Sequence, residues 1–189
     1  MLNFEDFEEK TLQRNEILNG KIINVALDEV LLPNGEKAQR ELVFHHGGVG
    51  IIALTPENKM VFVRQFRKPL EKVILEIPAG KIDPGEGAHP EVTGRRELEE
   101  ETAYQCEALE HLASMYLSPG FSNEMLHIYW AKNLSKTTHP KEQDDDELIE
   151  LYELTLREAE EAIKQQSICD AKTLYAVNWW KLKMAQRRE

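Results

Sequence analysis

The chain has 189 residues, 41% of them hydrophobic, which suits one globular domain with a buried core, with or without an appendage, and excludes fibrous and disordered classes. Its formal charge of −11 disfavours general binding to nucleic acids or to anionic membranes. Apolar runs are too short to span a bilayer, and the two cysteines lack metal-ligand spacing. We therefore expect a soluble, cytoplasmic protein with both thiols reduced.

Short β-rich runs open the chain. They predict three strands, at Thr11–Leu18, Lys21–Leu27 and Lys37–Phe44. Pro33-Asn34-Gly35 predicts a turn between the last two. We expect these runs to form an N-terminal antiparallel strand subdomain over residues 1–46, with a second domain over residues 47–189.

The second domain begins with two β-branched and aromatic runs, residues 50–55 and 60–66, which predict a hairpin in a central sheet. A Gly- and Pro-rich loop follows over residues 78–90. A charged segment over residues 91–102, with Pro90 at its first helical position, predicts a helix.

The last third of the chain predicts two strands, an acidic loop, a short strand and two amphipathic helices. The strands lie near residues 109–117 and 125–131, and the helices near residues 156–165 and 170–186. This order predicts an α/β protein of the α+β type, with a mixed β-sheet sandwiched between helices.

Glutamates are concentrated in the first predicted helix. Glu97, Glu100 and Glu101 are related as i, i+3 and i+4, so their carboxylates share one helix face, whereas Glu99 points elsewhere. Like charges at this spacing repel, and a cation would offset the repulsion. Hard oxygen donors without His or Cys nearby favour Mg²⁺ or Mn²⁺. The pattern thus indicates metal-assisted phosphoryl cleavage, and a solvated acidic helix face is the alternative.

The loop and helix together resemble the Nudix box: Gly, five residues, Glu, seven residues, then Arg-Glu-aliphatic-x-Glu-Glu-x-Gly. The matching residues are Gly80, Glu86, Arg96, Glu97, Leu98, Glu100 and Glu101. Two features depart from the pattern. Nine residues separate Glu86 from Arg96, and the extra two are placed in Gly87-Ala88-His89. Ala103 replaces the glycine, and a left-handed conformation there would cost about 1 kcal/mol or more.

The resemblance implies a metal site. In the Nudix family Glu97, Glu100 and Glu101 would bind the divalent metal, Mg²⁺ with Mn²⁺ as an alternative, and the backbone carbonyl of Ala79 would complete the ligand set. Arg96 would anchor the carboxylates by an ion pair. Gly80 would permit close backbone approach, and Glu86 would be structural.

Segments outside the box look like the ADP-ribose pyrophosphatase branch of the family. They are residues 63–69, residues 76–83 and Ser118-Pro119-Gly120-Phe121-Ser122-Asn123-Glu124, with Pro119 fifteen residues past Tyr104. Asp170 in Asp-Ala-Lys-Thr-Leu is expected to cap the last helix.

The resemblance also suggests a general base and a set of substrate-binding residues. Among the carboxylates of the acidic loop, Glu147 matches the branch best as the base, with Asp146 and Asp144 as alternatives. The substrate-binding candidates are Arg67, then Arg64, Arg40 and Glu124. Arg64 and Arg67 are expected on opposite faces of one strand, so only one can readily face the site. Arg40 would reach the neighbouring subunit's site across a homodimer formed by the N-terminal subdomain.

These features together imply Mg²⁺-dependent hydrolysis of ADP-ribose to AMP and ribose 5-phosphate. Another nucleoside diphosphate sugar, such as GDP-mannose, is the alternative substrate. The two departures from the box also leave open a catalytically impaired Nudix module that binds a nucleotide. The expected partners are a small-molecule substrate and a second copy of the chain, with neither nucleic acid nor membrane.

Overall fold

The computed structural model describes residues 3–83, 85–141 and 148–186. None of the helices in these ranges is long and apolar enough to cross a membrane. The described strands are β1 Lys10–Asn19, β2 Ile23–Leu31, β3 Lys37–His45, β4 Gly48–Ala53, β5 Met60–Arg67, β6 Lys72–Glu76, β7 Ala79–Lys81, β8 Tyr104–Tyr116, β9 Met125–Lys136 and β10 Glu150–Leu154. The α-helices are α1 Pro90–Thr102, α2 Leu156–Lys164 and α3 Ala171–Gln186.

The chain divides into two compact units. One comprises Met1–Gly47 and Met115–Met125, and the other comprises Gly48–Ser114 and Leu126–Glu189. No sequence pattern associates the segment between β8 and β9 with the N-terminal strands. The domain assignment with its boundary between residues 46 and 47 stays a prediction.

The first unit is built on an antiparallel sheet in the order β1-β2-β3, which confirms the three predicted N-terminal strands. Burial alternates along β2, where Ala26, Asp28 and Val30 are buried. The buried Asp28 carboxylate is neutralised by Arg14, whose Nε and Nη2 donate over 2.8 and 2.7 Å. All ten residues of β1 are exposed.

The second unit contains two sheets rather than one. The first has the order β7-β4-β9-β8, with β4 antiparallel to β7 and parallel to β9. The other has the order β10-β5-β6 and is antiparallel. Mixed and antiparallel sheets with three described α-helices confirm the predicted α+β class.

The predicted hairpin between residues 50–55 and 60–66 is wrong beyond its turn, where Leu54 and Met60 form an isolated antiparallel bridge. The connection is a tight turn, in which the Thr55 N–H donates to the Lys59 carbonyl over 2.8 Å, but β4 and β5 then enter different sheets. Every residue of β4 is buried, as are the first four of β5. Strands buried on both faces need covering layers on both sides, and their continuous apolar runs do not reveal which strand pairs with which.

Two short strands were absent from the sequence prediction. β7 lies inside the expected loop of residues 78–90 and pairs with β4, placing Ala79 opposite Gly50. β6 precedes it and pairs with β5. Three residues in β7 and five in β6 give too short a pattern for periodicity to register.

The predicted helix of residues 91–102 is confirmed as α1, with Pro90 in its first turn. Leu98 is fully buried in a core with Val49 and Ile51 of β4. Gly94 is buried as well, and a Cβ there would lie 3.3 Å from Leu109 Cδ1 of β8. The helix therefore packs closely on the mixed sheet, and glycine at position 94 serves that close packing.

The two C-terminal helices are also confirmed, and side-chain caps begin both. Thr155 and Glu158 form a reciprocal capping box at α2. Asp170 Oδ1 accepts from the Thr173 N–H over 3.1 Å, as the expected cap of α3. Thr173 Oγ1 in turn accepts from the Ile77 N–H over 3.0 Å, which ties the start of α3 to the segment after β6.

Replacing Ala103 by glycine is expected to stabilise the protein. Ala103 ends α1 in the left-handed conformation, at φ 56° and ψ 22°. Relief of that strain, less the entropy that glycine adds to the unfolded chain, should raise the free energy of unfolding by about 0.5–1 kcal/mol. Urea denaturation of Ala103→Gly measures this change.

Ala171→Gly is the matched control, because Ala171 is exposed in the first turn of α3. Glycine there should lower the free energy of unfolding by up to about 1 kcal/mol. Equal destabilisation by both substitutions would contradict a strained helix end at residue 103.

Candidate active site

Three glutamates in the C-terminal half of α1 contact either Arg96 or β7. Arg96 Nη1 lies 3.0 Å from Glu97 Oε1 and donates to Glu100 Oε2 over 2.9 Å. Glu101 is buried, and its Oε2 accepts from the Ala79 N–H over 3.0 Å. The helical spacing thus brings the three predicted glutamates together with Arg96 and with the β7 backbone.

Arg96 offsets the repulsion between these glutamates. Its Nη2 also lies 3.3 Å from Asp83 Oδ2 and 4.0 Å from Glu86 Oε2, so four carboxylates surround one guanidinium. Burial acts to lower the pKa of Arg96, but the neighbouring Glu97 and Glu100 outweigh it and raise the pKa above its ordinary value. The cation is therefore permanent. Asp83 is a partner that the sequence analysis did not assign.

Gly80 provides the close backbone approach that the sequence predicted. A Cβ at this residue would lie 1.9 Å from Glu97 Cδ, so the Glu97 carboxylate occupies the space that a side chain would fill. The Glu97 side chain is only 14% exposed. Its carboxylate is therefore held against β7.

The loop before α1 is attached to the helix by Glu86, whose Oε2 accepts from Thr93 Oγ1 over 2.6 Å. This contact agrees with a structural role for Glu86. The inserted residues 87–89 precede the first residue of α1. They lengthen the loop and leave the helical relationship of the three glutamates intact.

Glu99 belongs to a different environment, as the helical spacing predicts. Its nearest charged partner among the described residues is Lys141, with Nζ 4.0 Å from Glu99 Oε2.

No three His, Cys, Asp or Glu side chains in the described ranges are already gathered as a metal site. Arg96 bridges Glu97 and Glu100.

Arg64 and Arg67 both lie on β5 and have different partners. Arg67 Nε and Nη2 donate to Glu76 Oε1 and Oε2 over 2.5 and 3.0 Å. Arg64 contacts β10 instead, with Nη1 donating to the Tyr152 hydroxyl over 3.0 Å and Nε 3.1 Å from Glu150 Oε2. Burial acts to lower the pKa of Arg67, but the hydrogen-bonded Glu76 and, to a smaller extent, the charge of Glu101 outweigh it and raise the pKa.

A buried charge cluster beside the box has no signal in the sequence. It consists of Glu76, Arg67, Lys172 and Asp170, and Lys172 Nζ donates to Glu76 Oε2 and, over 2.9 Å, to Asp170 Oδ1. Burial acts to raise the pKa of Glu76, but the two cations outweigh it and hold the pKa below its ordinary value. Lys172 follows Glu76 by 96 residues, so no local spacing could have indicated their contact.

Two of the predicted substrate-binding residues lie in the first unit. Arg40 Nε and Nη2 donate to Glu9 over 2.7 Å each, and Glu124 Oε1 lies 3.9 Å from His45 Nδ1. Their roles in substrate binding stay predictions. The predicted general base Glu147 and its alternatives Asp144 and Asp146 lie outside the described residues.

The chain was compared with protein families, curated proteins and solved structures. The model of the NUDIX domain matches residues 44–176. A methanol dehydrogenase activator of Bacillus methanolicus is 50% identical over 97% of this chain and 98% of its own. An ADP-ribose pyrophosphatase of Bacillus subtilis is 44% identical over 96% and 97%, and a GDP-mannose pyrophosphatase of Cronobacter sakazakii is 32% identical over 92% of each chain.

A solved structure described as an ADP compounds hydrolase covers 96% of each chain at a TM-score of 0.79 and 18% sequence identity. At that identity the likeness supports the fold alone. The family assignment comes from the domain match, which covers more than half of the chain, and from the nearly full-length relatives. The chain therefore belongs to the Nudix family and is a Nudix hydrolase.

Proposed function

We propose that the protein hydrolyses the pyrophosphate bond of ADP-ribose and releases AMP and ribose 5-phosphate. The observation that carries this proposal is the placement of Glu97, Glu100 and Glu101 on one face of α1, two of them against Arg96 and the third against β7. It supplies the acidic face that pyrophosphate chemistry needs. The ADP-ribose pyrophosphatase at 44% identity supports the choice of substrate.

Nudix hydrolases generally use divalent metals, and the residues present here fit one. Glu97, Glu100, Glu101 and the Ala79 carbonyl would supply oxygen donors, which suit Mg²⁺ or Mn²⁺. Gly80 supports the fit, because only a residue without a side chain leaves room for the Glu97 carboxylate. When bound, the ion would neutralise negative charge on the pyrophosphate oxygens.

Arg67 is the proposed phosphate ligand. Two of its guanidinium nitrogens bind Glu76, and Nη1 has no partner among the described residues. An arginine held in this way can donate a charge-assisted hydrogen bond to a phosphate oxygen. Arg64 is the alternative, and Glu124 and, from a second subunit, Arg40 complete the proposed binding residues. Glu147 is the proposed base that deprotonates the attacking water, with Asp146 or Asp144 in its place as alternatives.

Glu101→Gln should lower the rate of AMP release from ADP-ribose in the presence of Mg²⁺ by about 10²-fold or more, as expected for a group that acts in the transition state. Chromatography of the reaction follows AMP. Glu99→Gln is the matched control, because Glu99 lies away from the other glutamates, and it should retain activity within about twofold.

Substrates and ions compared in the same assay separate the alternatives. The relative at 32% identity is named a GDP-mannose pyrophosphatase. If GDP-mannose is hydrolysed faster than ADP-ribose, it replaces ADP-ribose as the proposed substrate. Binding of ADP-ribose without turnover of any substrate would favour the impaired module. Turnover independent of Mg²⁺ and Mn²⁺ would contradict the proposed metal site.

A second prediction tests the contact between β7 and α1. Gly80→Ala should displace the Glu97 carboxylate and lower Mg²⁺-dependent hydrolysis by about tenfold or more, while the flexible glutamate side chain moves aside and spares the fold. Gly87→Ala is the control, because a Cβ at Gly87 has nothing within 4 Å. Equal activity of the two variants would refute a required position for Glu97.

The Bacillus methanolicus relative favours a second candidate function, activation of an alcohol dehydrogenase. The expected result is a faster rate of methanol oxidation when the protein is added to a purified methanol dehydrogenase. Glu101→Gln shows whether that effect needs the hydrolase site. An unchanged rate at a molar excess of the protein would exclude this function for that dehydrogenase.

The proposal includes a homodimer and a cytoplasmic location. The fully exposed strand β1 supports a dimer formed by the first unit, because exposed apolar residues such as Ile17 and Leu18 would be covered by a second copy. Light scattering tests the dimer, and a monomer would leave Arg40 without a neighbouring site.

Two free cysteines support a reducing compartment.

A further inference from the structure

The charge cluster of Glu76, Arg67, Lys172 and Asp170 extends from the buried interior toward the surface. The exposed fraction of the side chain is 2% for Glu76, 12% for Lys172 and 39% for Arg67. Arg67 is thus the more accessible of the two cations. Lys172 is largely buried and contacts two carboxylates.

Glu76 fixes the orientation of Arg67. Its two carboxylate oxygens accept from Nε and Nη2, a planar fork that leaves the guanidinium little freedom to rotate. Arg67 Nη1, which has no partner among the described residues, is therefore held in one direction. A carboxylate that was itself loose could not hold it in this way.

Lys172 supplies the second constraint on Glu76. Lys172 Nζ donates to Glu76 Oε2, the oxygen that also accepts from Arg67 Nη2. Lys172 is itself held by Asp170 Oδ1 at 2.9 Å, and that oxygen also caps α3. The rotamer of Glu76 is thus tied to the beginning of a helix.

The cluster and the Nudix box share one backbone segment, residues 76–80. Glu76 begins it, the Ile77 N–H donates to Thr173 beside Lys172, and the Ala79 N–H donates to Glu101. Buried ion pairs often contribute little net stability compared with apolar residues of similar volume. A function in orienting a charge next to the site accounts for this cluster better than stability does.

We propose that Lys172 is a positioning residue, which holds Glu76 and thereby orients the Arg67 guanidinium toward a phosphate of the substrate. This inference rests on the proposed function, because it assumes that Arg67 binds the pyrophosphate. Lys172 itself need not touch the substrate. Its effect on binding should therefore disappear when Arg67 is absent.

The test is a double-mutant cycle. Lys172→Met should raise the KM for ADP-ribose by about tenfold and leave kcat within about twofold, because a binding contact is lost and the metal site is untouched. Arg67→Ala should raise KM at least as much. In the Arg67→Ala background, Lys172→Met should have no further effect.

Lys181→Met is the matched control, because Lys181 also lies on α3 and pairs with a glutamate, Glu160, but is 62% exposed. It should leave KM unchanged. Lys172→Arg, which keeps the positive charge, should restore most of the lost affinity. Circular dichroism checks that each variant is folded, and Lys172→Gln replaces Lys172→Met if the latter does not fold.

Calorimetric binding of ADP-ribose without added metal gives a readout that is independent of turnover. An unchanged Kd and KM in Lys172→Met would overturn the proposal, as would a loss that adds to that of Arg67→Ala. If Arg67→Ala has no effect, the proposed phosphate ligand is wrong and the positioning role falls with it. If the effects of Lys172→Met and Arg67→Ala on ADP-ribose affinity are non-additive as expected but ADP-ribose is not hydrolysed, only the proposed reaction fails.

Discussion

The repulsion among carboxylates on one face of α1 is the constraint on which the site depends. Arg96 contacts both Glu97 and Glu100 and thereby offsets the repulsion between their neighbouring carboxylates. Glu101 is buried and accepts a backbone N–H from β7 instead. Each of the three acids therefore has a compensating donor, with Arg96 shared by two of them, and the helix tolerates a charge density that would otherwise destabilise it. A negatively charged substrate adds to this repulsion, so its binding requires additional cations.

The short segment of residues 76–80 connects this face to the rest of the second unit. Its carbonyl at Pro78 accepts from the Ile51 N–H of β4 over 2.8 Å, and its N–H groups donate to α1 and α3. The segment is thus fixed from three sides by hydrogen bonds. Glycine at position 80 is required because the fourth contact, with Glu97, leaves no room for a Cβ.

The sequence predicted the parts of the molecule that depend on local spacing. Helix α1, its shared carboxylate face and the cap at Asp170 follow from separations of one to four residues. The hairpin prediction failed because β4 and β5 are buried on both faces, so their residues carry no signal for a partner. Glu76 and Lys172 were missed for a related reason. Their contact exists only because α3 packs beside β6, and the sequence pattern does not predict which distant elements become neighbours.

Strand β1 affects how the protein behaves in solution. It lies at the edge of its sheet, is exposed along its whole length, and carries apolar side chains at Leu12, Ile17 and Leu18. Where no second copy covers it, such an edge can template uncontrolled strand addition between molecules. The net charge of −11 opposes strand addition, because like-charged copies repel one another. This repulsion vanishes near the isoelectric point of about 5.1. Colloidal stability should therefore decline in mildly acidic, high-salt buffers before the fold itself is lost.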